Sequence, residues 1–248
     1  MNSIVIVPCY NESNRLNINE FEKFAKSNPN IKFLFVNDGS SDDTLDVLLK
    51  MQSDNCSFLI LDLKDNVGKA EAVRKGVLHS LDVIGDVDLV AFFDADIATP
   101  LSDLKSMIEI VKMNQYYMVT GCRFKRMGGN IERRYIRFLL GRIFATFAAN
   151  ILKLPVYDTQ CGAKLFKAEI AKVIFEKPFI SRWLFDIELF ARIIISYGYL
   201  NAKSKILEYP LTEWKDIKGS KLGIKDIIRQ PYNLYKIHSF YKINKIIK

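Results

Sequence analysis

The stretch VAFFDADIATP, residues 90–100, runs four apolar residues straight into two aspartates one position apart, then into a turn that ends in proline. The apolar run has the length and composition of a short strand, which puts Asp94 and Asp96 at its carboxyl end. Two carboxylates this close repel each other and lose hydration in apolar surroundings, so the pair costs stability unless a cation lies between them. Mg²⁺ and Mn²⁺ take oxygen ligands, and Mg²⁺ is often held by one or two carboxylates while substrate phosphates complete its shell. A D-x-D also serves simply to end a strand and cap the next helix, so its neighbours decide the reading.

Working outward, residues 3–7, 31–36, 58–63 and 89–93 read as strands, and residues 44–51 and 69–81 as amphipathic helices between them. That alternation implies a parallel sheet with helices on both faces, and such sheets bind ligands beyond the carboxyl ends of their strands. The segments found there are PCYNE, NDGSSDDT, DNVGKAEA and DADIATP. Asp38 falls at a strand tip and Gly39 in a tight turn, with Ser40, Ser41 and Asp42 as candidate caps for a helix beginning near Asp43. Gly68 and Lys69 open another helix, placing a cation and free backbone N–H groups where a diphosphate can rest. Neither a full P-loop spacing nor a G-x-G-x-x-G is present. The four loops together suit a nucleoside diphosphate with a metal.

Composition narrows the class. With 248 residues, 49% apolar and 26% charged, the chain is a folded protein of one large domain with or without an appendage. Cys9, Cys56, Cys122 and Cys161 lack C-x-x-C spacing, which argues against zinc and for thiols in a reducing cytoplasm, and His79 and His238 are too far apart for a triad. MNSIVIVPCYNE has no basic n-region and reads as a first strand, not a signal peptide. The net charge of +8 gathers in two zones. One holds Arg123, Lys125, Arg126, Arg133, Arg134, Arg137 and Arg142; the other runs from Lys218 to Lys248. Both are interleaved with apolar and aromatic residues and suit phosphates or anionic headgroups. Nucleic acid is disfavoured, because no recognition motif accompanies the charge.

No run of about 20 uninterrupted apolar residues exists, so no spanning helix is expected. YIRFLLGRIFATFAANILKL, residues 135–154, is either a core helix or, as we prefer, an interfacial helix that receives lipid. The tail IIRQPYNLYKIHSFYKINKIIK, residues 227–248, suits a basic amphipathic helix in the headgroup region, started or bent by Pro231; packing on a partner or an oligomer is the other use.

VPCYNE, VNDGSSDDT, NVGKAEAVRKG, FDADIATP, DTQCGAKLF, RWLFDIEL and WKDIKGSKL occur in the order seen in inverting family 2 glycosyltransferases of the GT-A fold. The chain resembles the polyprenyl-phosphate branch of that family, most closely the dolichyl-phosphate β-glucosyltransferases, over roughly residues 3–223. Related mannosyl enzymes usually continue the metal motif with glutamine; here Ala98 stands there, so a third side-chain ligand is missing from that position. The resemblance implies a GT-A, Rossmann-like α/β fold with a mostly parallel sheet, residues 1–100 binding the nucleotide sugar and 101–223 the acceptor, and the composition of 224–248 adds a membrane-associating tail. It implies that Pro8, Tyr10, Asn11, Glu12, Asp38, Gly39, Lys69 and Asp94 line the donor site. Asp94 and Asp96 would hold Mg²⁺ or Mn²⁺, with Asp96 the principal ligand, and Arg123 with Arg133 or Arg134 would grip the acceptor phosphate.

The expected reaction moves a sugar, glucose by resemblance, from a UDP-sugar to dolichyl or undecaprenyl phosphate at the cytoplasmic face of a membrane. An ionised phosphate needs no general base, only positioning and charge neutralisation, which paired arginine donors supply. A saccharide hydroxyl would need one, and Asp186, in RWLFDIEL, is the candidate in that alternative; otherwise it positions or merely begins a helix. A non-catalytic sugar-nucleotide sensor is disfavoured by the joint presence of Asp94, Asp96, Lys69 and Arg123.

Overall fold

The computed structural model describes residues 1–133, 135–215 and 224–243. Strands β1 (Ser3–Cys9), β2 (Ile31–Asp38), β3 (Phe58–Leu63) and β4 (Leu89–Phe93) alternate with helices α1 (Ile18–Ser27), α2 (Thr44–Asp54) and α3 (Lys69–His79). A π-helical turn, Ser80–Ile84, extends α3. Then follow α4 (Leu101–Met113), β5 (Met118–Cys122), β6 (Asn130–Glu132), α5 (Tyr135–Leu152), β7 (Ala163–Lys167) and α6 (Ala168–Ile174). The chain continues through α7 (Phe185–Tyr197), α8 (Tyr199–Lys205), β8 (Ile206–Pro210), β9 (Glu213–Lys215) and α9 (Ile224–Tyr241).

Among the described residues, seven strands form one sheet in the order β3-β2-β1-β4-β7-β5-β8. It is mostly parallel, as expected, with β7 running antiparallel to both β4 and β5. Because β1 lies between β2 and β4, the winding reverses at β1, and the crevice this creates at the strands' carboxyl ends is where the D-x-D turn falls. β6 and β9 pair separately.

The period of two in β1 divides the core. Ile4 and Ile6 face one layer, with Val73 of α3, Ile174 of α6, Phe190 of α7 and Ile237 of α9. Val5 and Val7 face the other, with Phe21 of α1, Leu48 of α2 and Leu104 of α4. In that second layer Phe21 meets Phe33 and Phe35 edge-on at 5.3 and 5.1 Å. Each fully buried phenylalanine contributes about 1.5–3 kcal/mol, so the sheet's two covered faces, not its polar loops, carry the fold.

Two local expectations are corrected. Ser40 and Ser41 do not cap α2: the Ser40 hydroxyl accepts the Asn11 N–H, and the Ser41 N–H donates to Asn11 Oδ1, which ties the first two strand-end loops together. Asp42 alone among the three reaches the helix entry, accepting the Thr44 N–H at 3.1 Å. Pro231, expected to start or bend the tail helix, lies inside α9, where it forgoes one helical hydrogen bond.

Helix α5 is two-sided: Ala145, Ala148 and Leu152 are buried, while Tyr135, Leu139, Leu140, Ile143 and Phe147 are exposed. On α9, Leu234, Ile237 and Tyr241 enter the core, while Tyr232, Tyr235 and Phe240 point outward. The GSKL motif and residues 244–248 of the tail lie outside the described residues.

Candidate active site

The strand-end loops open on one cleft of about 890 Å³. Pro8, Tyr10, Glu12, Asp38, Lys69, Asp94, Asp96, Arg123, Arg133 and Asp186 all line it. Asn11 and Gly39 are not among the lining residues. Asn11 adopts φ 51° while bridging the first two loops. Gly39 has φ 62°, and a Cβ there would come within 2.5 Å of the Asn66 nitrogen, so only glycine lets the third loop pass. Arg134 lies outside the described residues.

Asp94 forms an ion pair with Lys69 at the N-terminus of α3. Gly162 presses so closely on Asp94 that any side chain at that position would overlap the carboxylate. Asp96 Oδ1 accepts the Ala98 N–H at 3.1 Å, and its Oδ2 lies 3.5 Å from the Arg15 guanidinium. Burial and then the neighbouring charge of Asp94 push the Asp96 carboxyl above the usual range. Burial alone would lower the Lys69 ammonium, but Asp94, Asp186 and Asp96 outweigh it and raise it. No cluster of three or more His, Cys, Asp or Glu able to hold a metal occurs among the described residues. Two carboxylates on one turn, facing a cleft that admits a diphosphate, fit a hard cation that completes its shell from substrate oxygens.

Asp38 clamps the third loop. Its oxygens accept the N–H groups of Val67 at 2.7 Å and Gly68 at 2.9 Å, together with the Asn66 side-chain amide at 3.2 Å. Burial nevertheless raises this carboxyl, the backbone donors offsetting only part of the cost.

Across the cleft, Asp158 grips Arg123 in a bidentate pair, with Nε at 2.7 Å and Nη2 at 2.8 Å, and also accepts the Arg123 N–H at 3.1 Å. Despite burial, the guanidinium holds the Asp158 carboxyl far below the ordinary range. Arg123 also lies 5.1 Å from the centre of Trp214, and Arg133 lies 5.7 Å from the same ring. One indole thus spaces two cations that face the cleft. Arg142 stacks on Tyr157 at 3.6 Å.

Asp186 begins α7 and meets Lys164 from β7, a lysine with no solvent exposure. Lys164 Nζ donates to Asp186 Oδ1 at 2.6 Å, to the Cys161 carbonyl at 2.7 Å and to the Thr159 carbonyl at 3.1 Å. Burial raises the Asp186 carboxyl, with Lys164 and Lys69 working against that rise. Segment 158–162 therefore orders three groups at once: Arg123 through Asp158, Asp94 through Gly162, and Asp186 through Lys164.

The sequence reading did not single out Asp158, Lys164, Arg182, Trp183, Arg15 or Trp214. Lys164 carried a signal, since a lysine within AKLFK demands a buried acidic partner once that segment is a central strand. Arg182 lies over Gly68, where a Cβ would come within 2.7 Å of its Nε, and donates to Asn66 Oδ1 at 3.3 Å.

A parallel half-sheet that ends in a D-x-D turn is joined through an antiparallel strand to a second, arginine-lined half, which is the layout of the GT-A fold. The profile of Glycosyl transferase family 2 matches residues 4–175. The chain belongs to glycosyltransferase family 2. It is 31% identical to a dolichyl-phosphate beta-glucosyltransferase of Trichomonas vaginalis, over 96% of this chain and 73% of the relative. With the Dictyostelium discoideum dolichyl-phosphate beta-glucosyltransferase it shares 33% identity, over 91% of this chain and 72% of that one. Among solved structures, glucosyl-3-phosphoglycerate synthase of Mycobacterium tuberculosis, in complex with Mn²⁺, UDP and glucosyl-3-phosphoglycerate, superposes with a TM-score of 0.68 at 15% identity. That match covers 97% of this chain and 79% of the synthase chain.

Proposed function

We propose that this enzyme transfers glucose from UDP-glucose to a polyprenyl phosphate of the dolichyl type, with inversion at the anomeric carbon and with a divalent cation as cofactor. The observation that carries the proposal is the gathering, within one cleft, of the Asp94–Asp96 turn and Lys69 with the Arg123 and Arg133 guanidinium groups. The kinship with dolichyl-phosphate beta-glucosyltransferases supports the choice of sugar and acceptor.

On the donor side, Asp94 and Asp96 would hold the cation against the diphosphate, and Pro8, Tyr10, Glu12 and Asp38 would border the nucleoside. When bound, Mg²⁺ or Mn²⁺ supplies Lewis-acid stabilisation of charge on the departing diphosphate. Lys69 adds a fixed positive charge at the N-terminus of α3. On the acceptor side, Arg123 and Arg133 neutralise one anion so that it can approach another, and Asp158 fixes the plane of the Arg123 guanidinium. The attacking phosphate oxygen carries no proton that must be removed. Asp186 then acts by position: with Lys164 on Oδ1, it is better suited to orient the sugar or Lys69 than to deprotonate a hydroxyl.

The acceptor's chain requires a bilayer nearby. No helix among the described residues is long and apolar enough to cross a membrane. Instead, α5 and α9 reach the cleft through Arg142, Arg229 and Asn233, and the same two helices carry exposed apolar and aromatic side chains on their outer faces. We assign this face to an anionic membrane surface, with residues 1–100 serving the donor, 101–223 the acceptor and 224–248 the surface contact.

The test is incubation of purified enzyme with membranes and radiolabelled UDP-glucose. Label is expected in a lipid released by mild acid; label in an acid-stable saccharide would instead establish the hydroxyl-acceptor reaction.

A further inference from the structure

Tyr241, at the end of α9, is 8% exposed and touches two charged residues of α7. Its hydroxyl donates to Glu188 Oε2 at 3.0 Å and accepts from Arg192 Nε at 2.9 Å. Both of these residues grip one segment. Glu188, wholly buried, accepts the N–H groups of Ser181 at 2.9 Å and Ile180 at 3.0 Å. Arg192 donates to the Lys177 and Pro178 carbonyls, each at 2.7 Å, and stacks on Phe179 at 4.2 Å. Ser181 passes the order onward, its hydroxyl accepting the Leu184 N–H at 3.1 Å.

What this segment carries is Arg182 and Trp183, which face the cleft on the donor side. The Arg182 guanidinium covers Gly68 at the start of α3, bonds to Asn66 and lowers the cost of the buried Asp38 charge. We propose that Tyr241 is a positioning residue that latches segment 177–184 from the C-terminal helix, so that Arg182 stands over the donor's nucleoside diphosphate. The inference rests on the UDP-sugar reading above and adds to it that α9 is part of the donor-binding apparatus as well as a surface-facing helix.

The hydroxyl suits this role because it satisfies both charges at once. Without it, the buried Arg192 Nε loses its acceptor, and Glu188 keeps its two backbone donors and the Arg192 guanidinium at 3.8 Å but loses its one hydroxyl donor. Burial pushes the Tyr241 phenol up to about 12, so the hydroxyl keeps its proton at any working pH.

Tyr241→Phe keeps the ring in the core and removes only the hydroxyl. Loss of its hydrogen bonds to charged groups is expected to weaken UDP binding, measured calorimetrically with Mn²⁺, by about tenfold. The donor KM should rise by a similar factor while the acceptor KM stays within about twofold of wild type. Hydrogen exchange should quicken at the Ile180 and Ser181 amides and not within α7. A folded Tyr241→Phe enzyme with wild-type UDP affinity overturns the proposal, as does an equal rise in both KM values, which marks general destabilisation. Should the variant not fold, Arg182→Ala decides: this exposed residue must reproduce the selective rise in donor KM, and an unchanged value overturns the latch. Wild-type protein that does not bind UDP refutes the donor reading itself, a result distinct from any difference between variants.

Discussion

Replacing Lys164 by methionine tests whether the buried cation, and not the shape of β7, orders the site. The side chain has no exposure, and its ammonium makes three hydrogen bonds, to Asp186 and to the Thr159 and Cys161 carbonyls. Methionine fills much of the same volume and supplies none of them. Removing one partner of a buried ion pair costs about 3–5 kcal/mol, because the remaining charge is stranded. For a chain of this size that corresponds to a fall of about 6–20 °C in melting temperature.

The pH dependence gives the sharper reading. In the native fold Asp186 already titrates above its ordinary value, chiefly through burial, and loss of Lys164 raises it further. A raised carboxyl favours the folded state below its unfolded value and loses that advantage as pH rises through its folded value. The deficit of Lys164→Met relative to wild type should therefore be small near pH 4 and grow towards neutrality. Denaturant titrations across that window measure it, and Asp186→Asn in the Lys164→Met background should recover at least about 1 kcal/mol. A variant as stable as wild type at pH 7, or a deficit that shrinks as pH rises, refutes the assignment of the pair.

Arg123→Ala should raise the KM for the lipid phosphate by more than about tenfold while leaving UDP affinity near wild type; a selective loss of UDP binding would move Arg123 to the donor side. Gly162→Ala inserts a methyl group into the Asp94 carboxylate and should abolish Mn²⁺ binding by calorimetry while the protein still melts cooperatively; retained binding shows that the turn relaxes. Asp42, despite some burial, is held at about 2 by the Thr44 and Ser13 hydroxyl and N–H donors, so its stabilisation is present above the ordinary carboxylate value and is lost as pH falls towards 2. Asp42→Ala should cost about 1 kcal/mol near neutrality and progressively less in acid, read from urea titrations.

The donor half was legible because its chemistry is local. β3 and β4 run over the same residues that the apolar pattern gives; β4 is followed at once by Asp94 and β3, a few residues on, by Asn66 and Lys69, all of which line the cleft. The acceptor half depends on partners distant in sequence. Asp158 meets Arg123 across 35 positions and Asp186 meets Lys164 across 22, and no periodicity encodes such pairings. Nor does AKLFK reveal its direction: a short apolar strand pairs either way, and here it runs antiparallel after the chain has passed through α5. The C-terminal helix shows the same limit. Leu234, Ile237 and Tyr241 form a core-facing stripe, while Tyr232, Tyr235 and Phe240 form an outward one. Both stripes are apolar or aromatic, so the sequence identifies an amphipathic helix without saying which face meets protein. The Tyr241 hydroxyl decides it, since a buried phenol needs a polar partner and only the α7 face supplies Glu188 and Arg192.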